Sequence, residues 1–193
     1  MRNGKILQEN NKHKYKSQNN SDSEISETEA GSSKEIVFNK ILLKDISDTL
    51  SSIISKNNKN KKDNYIFNRD YEPKISIYDY LLRIQKYSGI EDSTLVTSLI
   101  YIDDRICSKK GIILTNHNIH RLLFSSILVA IKYNEDIIYD NSFYSKIAGV
   151  TVSELKKLEY EFLKIIDFKL FVPDNLYQKY FQYLNMDEND TNV

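Results

Sequence analysis

The chain has 193 residues, 40% hydrophobic and 28% charged, which suffices for one buried core with polar tails. Its 27 basic residues balance 27 acidic ones, so no overall field draws it to nucleic acid or to an anionic membrane, and we expect neither as a direct partner. No apolar run approaches the roughly 18 residues that span a bilayer. Cys107 is the only cysteine, which excludes an intramolecular disulfide and a zinc site built on thiolates. We therefore expect Cys107 to be a small core residue of an intracellular protein, in the nucleus, the cytoplasm or both.

The first segment, residues 1–33, is rich in Asn, Ser, Lys and Glu, and its few apolar residues show no helical repeat. We predict that it is a disordered tail. In its acidic stretch, SDSEISETEAGSS, an acidic residue stands three positions after Ser21 and after Ser26, which is the spacing that acidophilic kinases recognise. Ser21 and Ser26 are candidate phosphorylation sites, although the same spacing is common in any solvated tail rich in Ser and Glu.

The second segment, residues 34–72, joins an amphipathic helix to a basic loop. Apolar residues recur every three or four positions from Phe38 to Ile53, which predicts a helix over about residues 34–55. The low-complexity stretch SKNNKNKKDN comes next. It is interpreted as a solvated linker, with a nuclear-import signal as the alternative.

The third segment, residues 73–172, lies between the only two prolines, Pro73 and Pro173, and its apolar spacing is helical throughout. We predict an all-α bundle of five helices in which the third, apolar almost all round, is central. The predicted helices begin near Ile77, at Asp92 or Ser93, at Thr115 or Asn116, at Asn141 or Ser142, and at Thr151, where Glu154 completes a capping box. The first is expected to end near Ser88 and Gly89, and the fourth at Gly149.

A short helix, residues 173–184, is predicted beyond the bundle. Asp174 can cap it, and Leu176, Tyr180 and Leu184 give it an apolar stripe. The polar residues 185–193 are expected to be a frayed tail.

Two charges stand out against their apolar surroundings. Lys132 directly follows Ile131 in the central helix, so it must reach water or find an anion, because an unpaired buried ammonium costs several kcal/mol. Glu159 shares a strip of the fifth helix with two leucines, four residues away on either side. Each alone fits an ordinary surface residue, but together they suggest a charged spot inside an apolar face, as expected where another protein docks.

Several stretches in this order resemble the cyclin box of the Pho80-like or P/U-type cyclins. They are YIDDRI, HRLLFSSILVAIKYNED and NSFYSKIAGVTVSELKKLEYEFLKIIDFKL, and the resemblance covers about residues 36–184. It implies a single five-helix cyclin box with an extra N-terminal helix and a short C-terminal helix. It further implies a regulatory subunit without enzymatic activity or cofactor, which activates a cyclin-dependent kinase by binding its C-helix in a heterodimer. The residues that the resemblance places against the kinase are Lys132, Glu159, Val129, Tyr133, Leu163, Phe168 and Leu170.

One departure from the family pattern affects the second helix. The usual YIDR reads Tyr101-Ile102-Asp103-Asp104-Arg105, and one extra residue rotates the later part of the helix by about 100°. We therefore expect this helix to end or bulge here, and which aspartate takes the usual role stays open. A catalytic carboxylate pair is the functional alternative.

Two other interpretations compete with the kinase-binding one. His117 and His120 are three residues apart, a spacing that can chelate a metal, but no nearby cysteine or convincing carboxylate set completes such a site, so we expect capping or surface roles. The main alternative function is a cyclin-fold adaptor that binds a non-kinase partner or a transcription complex. Balanced charge and a single box argue against the transcription complex.

Overall fold

The computed structural model describes residues 39–57 and 66–184. Five sets of predictions lie outside these residues: the tail 1–33, its candidate sites Ser21 and Ser26, the first residues, 34–38, of the predicted helix 34–55, most of the basic loop, and the tail 185–193. Within the described ranges the secondary structure is helical, without a strand, which confirms the predicted all-α class. The helices are α1 (Lys40–Lys56), α2 (Ile77–Ser88), α3 (Asp92–Ile100) with a π-helix (Tyr101–Ser108), α4 (Ile119–Asn134), α5 (Asn141–Ala148), α6 (Val152–Ile165) and α7 (Asp174–Leu184).

Helix α4 is the centre of the five-helix box formed by α2 to α6. From Ile119 to Ile131 its side chains are buried, except for the partly exposed Arg121. Helices α3 and α6 pack most extensively against α4, while α1 packs on α2. Cys107 is buried in the same core, as the sequence predicts.

Several predicted helix ends are confirmed. Helices α2 and α5 both stop at a glycine in the left-handed region, Gly89 with φ 65° and Gly149 with φ 70°, which only glycine adopts without steric cost. Helix α6 starts at the predicted capping residue, since the Glu154 backbone N–H donates to Thr151 Oγ1 at 3.1 Å. The Glu154 carboxylate does not close the capping box but pairs with Arg121 of α4.

The predicted start of α3 at Asp92 is confirmed, but Asp92 does not cap the helix, and the predicted start of α4 is wrong. Asp92 is the first residue of α3, and its carboxylate makes tertiary bonds instead of capping the helix, accepting from Asn39 Nδ2 at 3.0 Å and from Gln85 Nε2 at 3.4 Å. Helix α4 begins only after Asn118, whose Oδ1 accepts from the Thr115 backbone N–H at 2.9 Å. That bond closes a turn ahead of the helix.

The predicted start of α5 at Asn141 is confirmed, whereas the start of α7 differs from the prediction by one residue. Asp140, and not Asn141, caps α5, because its Oδ1 accepts from the Phe143 backbone N–H at 2.9 Å. Asp174 is the first residue of α7, not its cap, and the Pro173 carbonyl accepts the bonds from the first turn. Because Asp140 supplies the cap of α5, the Asn141 side chain is available for another contact.

The extra aspartate of YIDDRI is accommodated by the π-helix Tyr101–Ser108, which confirms the predicted bulge. A π-helix has a wider turn than an α-helix, so the residues after the insertion keep their places in the core. Tyr180 Oη donates to Asp103 Oδ2 at 2.5 Å. Burial, and after it the Asp103 charge, raises the pKa of Tyr180 far above its ordinary value, so the hydroxyl stays protonated as a donor.

The second aspartate points to a different set of partners. Asp104 accepts from Lys109 Nζ at 2.6 Å and lies 3.6 Å from Arg105 Nε. Both aspartates are buried and engaged in contacts that hold the fold, which does not favour the alternative of a catalytic pair. The residue that ties the π-helix to the C-terminal helix α7 is therefore Asp103.

We predict that Tyr180→Phe destabilises the protein by about 2 kcal/mol, because the buried Asp103 carboxylate loses a charged hydrogen bond. Urea unfolding monitored by circular dichroism measures this loss. Tyr160→Phe is the matched control, since Tyr160 is exposed on α6 and its hydroxyl has no hydrogen bond within the described residues. Equal unfolding midpoints for the two variants would contradict the assignment.

Candidate protein-docking site

Three helices meet at Lys132, in the last turn of α4. Lys132 Nζ donates to Glu159 Oε1 of α6 at 2.6 Å and to Asn141 Oδ1 of α5 at 2.8 Å. Asn141 Nδ2 donates to Glu159 Oε2 at 3.3 Å, which closes a ring of three polar side chains. We call Lys132, Asn141 and Glu159 the three-helix junction.

Sequence reasoning brought together Lys132 and Glu159 but missed Asn141. The sequence allowed Asn141 to be a capping residue, in which case its side chain would have bonded to its own helix. The adjacent Asp140 takes that place, so the Asn141 amide faces the ion pair. The sequence feature that could have indicated this role is that Asp140 and Asn141, both of capping type, are adjacent, and only one of them can cap α5.

The junction keeps bonding capacity for a partner. The Lys132 and Glu159 side chains are 29% and 16% exposed, so the pair is only partly shielded from solvent. An ammonium has three donors and a carboxylate about four acceptor sites, and the ring uses two of each. A docked chain could therefore accept from Lys132 or donate to Glu159 without breaking the ring.

The predicted apolar neighbours differ in exposure. Tyr133 and Phe168 are exposed large side chains, while Leu163 and Leu170 are half-buried. Val129 is 3% exposed, so in the free protein it packs in the core and supports the surface from beneath.

Phe168 is held outward by the turn that ends α6. Asp167 and Phe168 have φ of 55° and 54°, unusual values for residues other than glycine. The Phe168 and Asp167 backbone N–H groups donate to the carbonyls of Leu163 and Lys164, as in a Schellman motif. The hydrogen bond from Lys110, at 2.9 Å, lowers the pKa of Asp167 and keeps this carboxylate charged.

The segment after this turn is fixed by the π-helix. Tyr101 Oη donates to the Leu170 carbonyl at 2.6 Å, and Arg105 Nη2 donates to the Phe171 carbonyl at 2.9 Å. Burial raises the pKa of Tyr101 well above its ordinary value, which keeps this donor protonated. The family-like YIDDR stretch thus positions the end of the candidate surface.

A cleft of about 420 Å³ lies beside Tyr133. Leu170, Phe171, Val172 and Tyr177 contribute its apolar lining. Phe171 is 69% exposed, and sequence reasoning missed it because hydrophobicity alone does not distinguish a core phenylalanine from an exposed one. Solvent-exposed aromatic side chains around a cleft are typical of surfaces that bind another protein.

The two histidines do not form a site together. His120 is buried on α4, with Nε2 2.9 Å from the Ile75 carbonyl, and burial lowers its pKa. His117 Nδ1 lies 3.1 Å from the Arg69 carbonyl, and its Nε2 lies 3.6 Å from Glu72. Across residues 39–57 and 66–184, no group of three His, Cys, Asp or Glu side chains is placed to hold a metal ion. In the same ranges no helix has the length and hydropathy to cross a membrane.

Comparison with known proteins connects this arrangement to one family. The cyclin family model matches residues 5–170, starting well before the region where the sequence motifs begin. Cyclin-U4-2 of Arabidopsis thaliana is 39% identical over 114 residues, covering 59% of this chain and 53% of the relative. Cyclin-U1-1 of the same plant is 31% identical over 142 residues, covering 70% of this chain and 68% of the relative.

A fungal relative is similar over a comparable range. PHO85 cyclin-7 of Saccharomyces cerevisiae (strain ATCC 204508 / S288c) is 36% identical over 130 residues, covering 61% of this chain and 45% of the relative. The chain spans about half the length of most of these curated relatives. With the family match over most of the sequence and the five-helix box around α4, the chain belongs to the cyclin family, in its Pho80-like branch.

Proposed function

We propose that the chain is the regulatory subunit of a cyclin-dependent kinase, forms a heterodimer with it, and binds the kinase's C-helix through the three-helix junction. The observation that carries this proposal is the ring of Lys132, Asn141 and Glu159 beside exposed aromatic side chains. The name of the yeast relative, a cyclin of PHO85, supports the same class of partner.

The apolar and the polar groups of the surface contribute differently to binding. Tyr133, Phe168 and Phe171 offer exposed aromatic area that loses water when a partner covers it. The junction supplies directional bonds whose position fixes the register of the docked helix. A partner without a matching polar group would remove water from Lys132 or Glu159 and offer no hydrogen bond in its place. The free-energy cost of that loss disfavours the wrong partner, which supplies specificity.

The chain acts on the kinase by shifting a conformational equilibrium. An active protein kinase requires a Lys–Glu pair that forms only when its C-helix is correctly placed. A protein that binds the C-helix in that position stabilises the active state by its differential affinity. The residues of the cyclin chain bind and position, and no chemical step falls to them.

The compartment is inferred from the cysteine and the partner. A single buried cysteine without a disulfide fits a reducing compartment. The chain would bind the kinase in such a compartment, the nucleus, the cytoplasm or both.

We predict that Glu159→Lys weakens kinase binding at least about 30-fold, because it removes an acceptor that the proposal places in the interface and sets a second ammonium beside Lys132. The scale is the roughly 2–5 kcal/mol that loss of a buried, hydrogen-bonded charge at an interface costs. The melting temperature should fall by about 5 °C or less. Calorimetric titration against the kinase and a thermal melt measure the two effects.

Glu161→Lys is the matched control for this variant. It reverses a charge two positions away on α6, where Glu161 pairs only with Lys164 of the same helix among the described residues. We expect it to bind like the unmodified chain. Unfolding of Glu159→Lys would show that Glu159 serves the fold, and unchanged affinity would remove it from the interface.

We also predict that the chain transfers no phosphoryl group by itself but raises the activity of a cyclin-dependent kinase that co-purifies with it. Phosphorylation of a protein substrate with labelled ATP measures this activity for each subunit alone and for the mixture. Glu161→Lys should activate the kinase, whereas Glu159→Lys should not at the same concentration. Co-purification of only non-kinase proteins would favour the adaptor function instead.

A further inference from the structure

A second surface lies between α2 and α5. It is a groove of about 640 Å³ whose residues do not include the three-helix junction. Its lining comprises Asp79, Leu82, Arg83, Lys86, Tyr87, Phe143, Lys146 and Ile147. The groove is therefore a separate feature from the proposed kinase-binding site.

The rim of the groove is cationic. Arg83, Lys86 and Lys146 reach solvent, and no carboxylate among the described residues forms a salt bridge with them. The one lining carboxylate, Asp79, accepts a bond from Ser76 Oγ at 2.7 Å as part of the α2 cap. The groove therefore carries unbalanced positive charge.

The groove also has apolar walls. Leu82 and Phe143 are half-buried, Ile147 is buried at the base, and Tyr87 is exposed. A ligand that complements both properties has several carboxylates around at least one aliphatic side chain.

The chain itself contains such a segment. Residues 21–29, SDSEISETE, carry four carboxylates and no basic residue. Ile25 is the only large apolar residue among them, with Glu24 before it and Glu27 two positions after it. One aliphatic side chain can thus enter the groove while carboxylates on both sides approach its rim.

The start of the described chain lies close enough to the groove. Asn39 Nδ2 donates to Asp92, and the other oxygen of that carboxylate accepts from Gln85 of α2. Gln85 lies in the second half of α2, the helix that forms one wall of the groove, so residue 39 is fixed beside that helix. The ten residues from 29 to 39 can extend over about 33 Å, roughly three times the width of a helix with its side chains.

We propose that residues 21–29 bind in the α2–α5 groove of their own chain. Tethering raises the local concentration of the segment into the millimolar range, so a weak contact suffices for high occupancy. Phosphorylation of Ser21 or Ser26 would add a charge of about −2 at each site and tighten the contact. The segment then acts as an intramolecular competitor for any other acidic peptide.

Paramagnetic relaxation in the full chain tests this contact. A nitroxide is attached to a cysteine introduced by Ser23→Cys, since Cys107 is buried and poorly accessible to the reagent. We expect the amide signals of residues 82–87 and 143–147 to broaden in dilute samples. Lys86→Glu with Lys146→Glu should abolish the broadening, while the matched pair Lys156→Glu with Lys157→Glu, exposed on α6, should preserve it.

A second variant avoids any change to the folded domain. Neutralising the segment with Asp22→Asn, Glu24→Gln, Glu27→Gln and Glu29→Gln should also abolish the broadening. A free 21–29 peptide should then bind the neutralised chain at least ten times more tightly than the intact chain, because the groove is vacant. Absence of broadening in the groove would overturn the proposal. Equal affinity of the peptide for both chains would also overturn it, and that result would assign the groove to peptides of other proteins.

Discussion

Burial of α4 is the constraint on which the rest of the structure depends. A helix that is apolar almost all round is stable in water only when other helices cover it, and α3 and α6 provide most of that cover. Beyond the buried run that ends at Ile131, the first side chain to leave this environment is Lys132. Its anion, Glu159, belongs to one of the covering helices, so the ion pair forms where the core ends. The position of the three-helix junction is thus a geometric consequence of the packing.

The π-helix connects this core to the rim of the candidate docking surface. An extra residue in YIDDRI would misdirect all later side chains on a regular helix, and the wider turn absorbs it. Asp103 then meets Tyr180 of α7, while Tyr101 and Arg105 bind the carbonyls of Leu170 and Phe171. The same eight residues therefore fix the C-terminal helix and the segment that displays the exposed aromatics. One element therefore serves both the stability of the fold and the position of the proposed binding surface.

The sequence predicted the features that depend on local pattern. Helical periodicity indicated the all-α fold, and apolar strips interrupted by charge indicated that Lys132 and Glu159 meet. Apart from this pair, it did not predict the contacts between residues that are far apart in the chain or that depend on the choice of a cap. The role of Asp103 required Tyr180, which lies 77 positions further along the chain. The role of Asn141 depended on which of two adjacent polar residues caps α5, and their capping propensities are too similar to decide this.

Hydrogen exchange of the chain, free and bound to the kinase it captures, tests the central claim most directly, that the three-helix junction and its aromatic rim form the kinase interface. We predict slower exchange at the end of α4 and the start of α5, and from the end of α6 through residues 168–172. The α2–α5 groove should be unchanged. Protection confined to the groove or to α1, with the junction exchanging as in the free chain, would contradict the account.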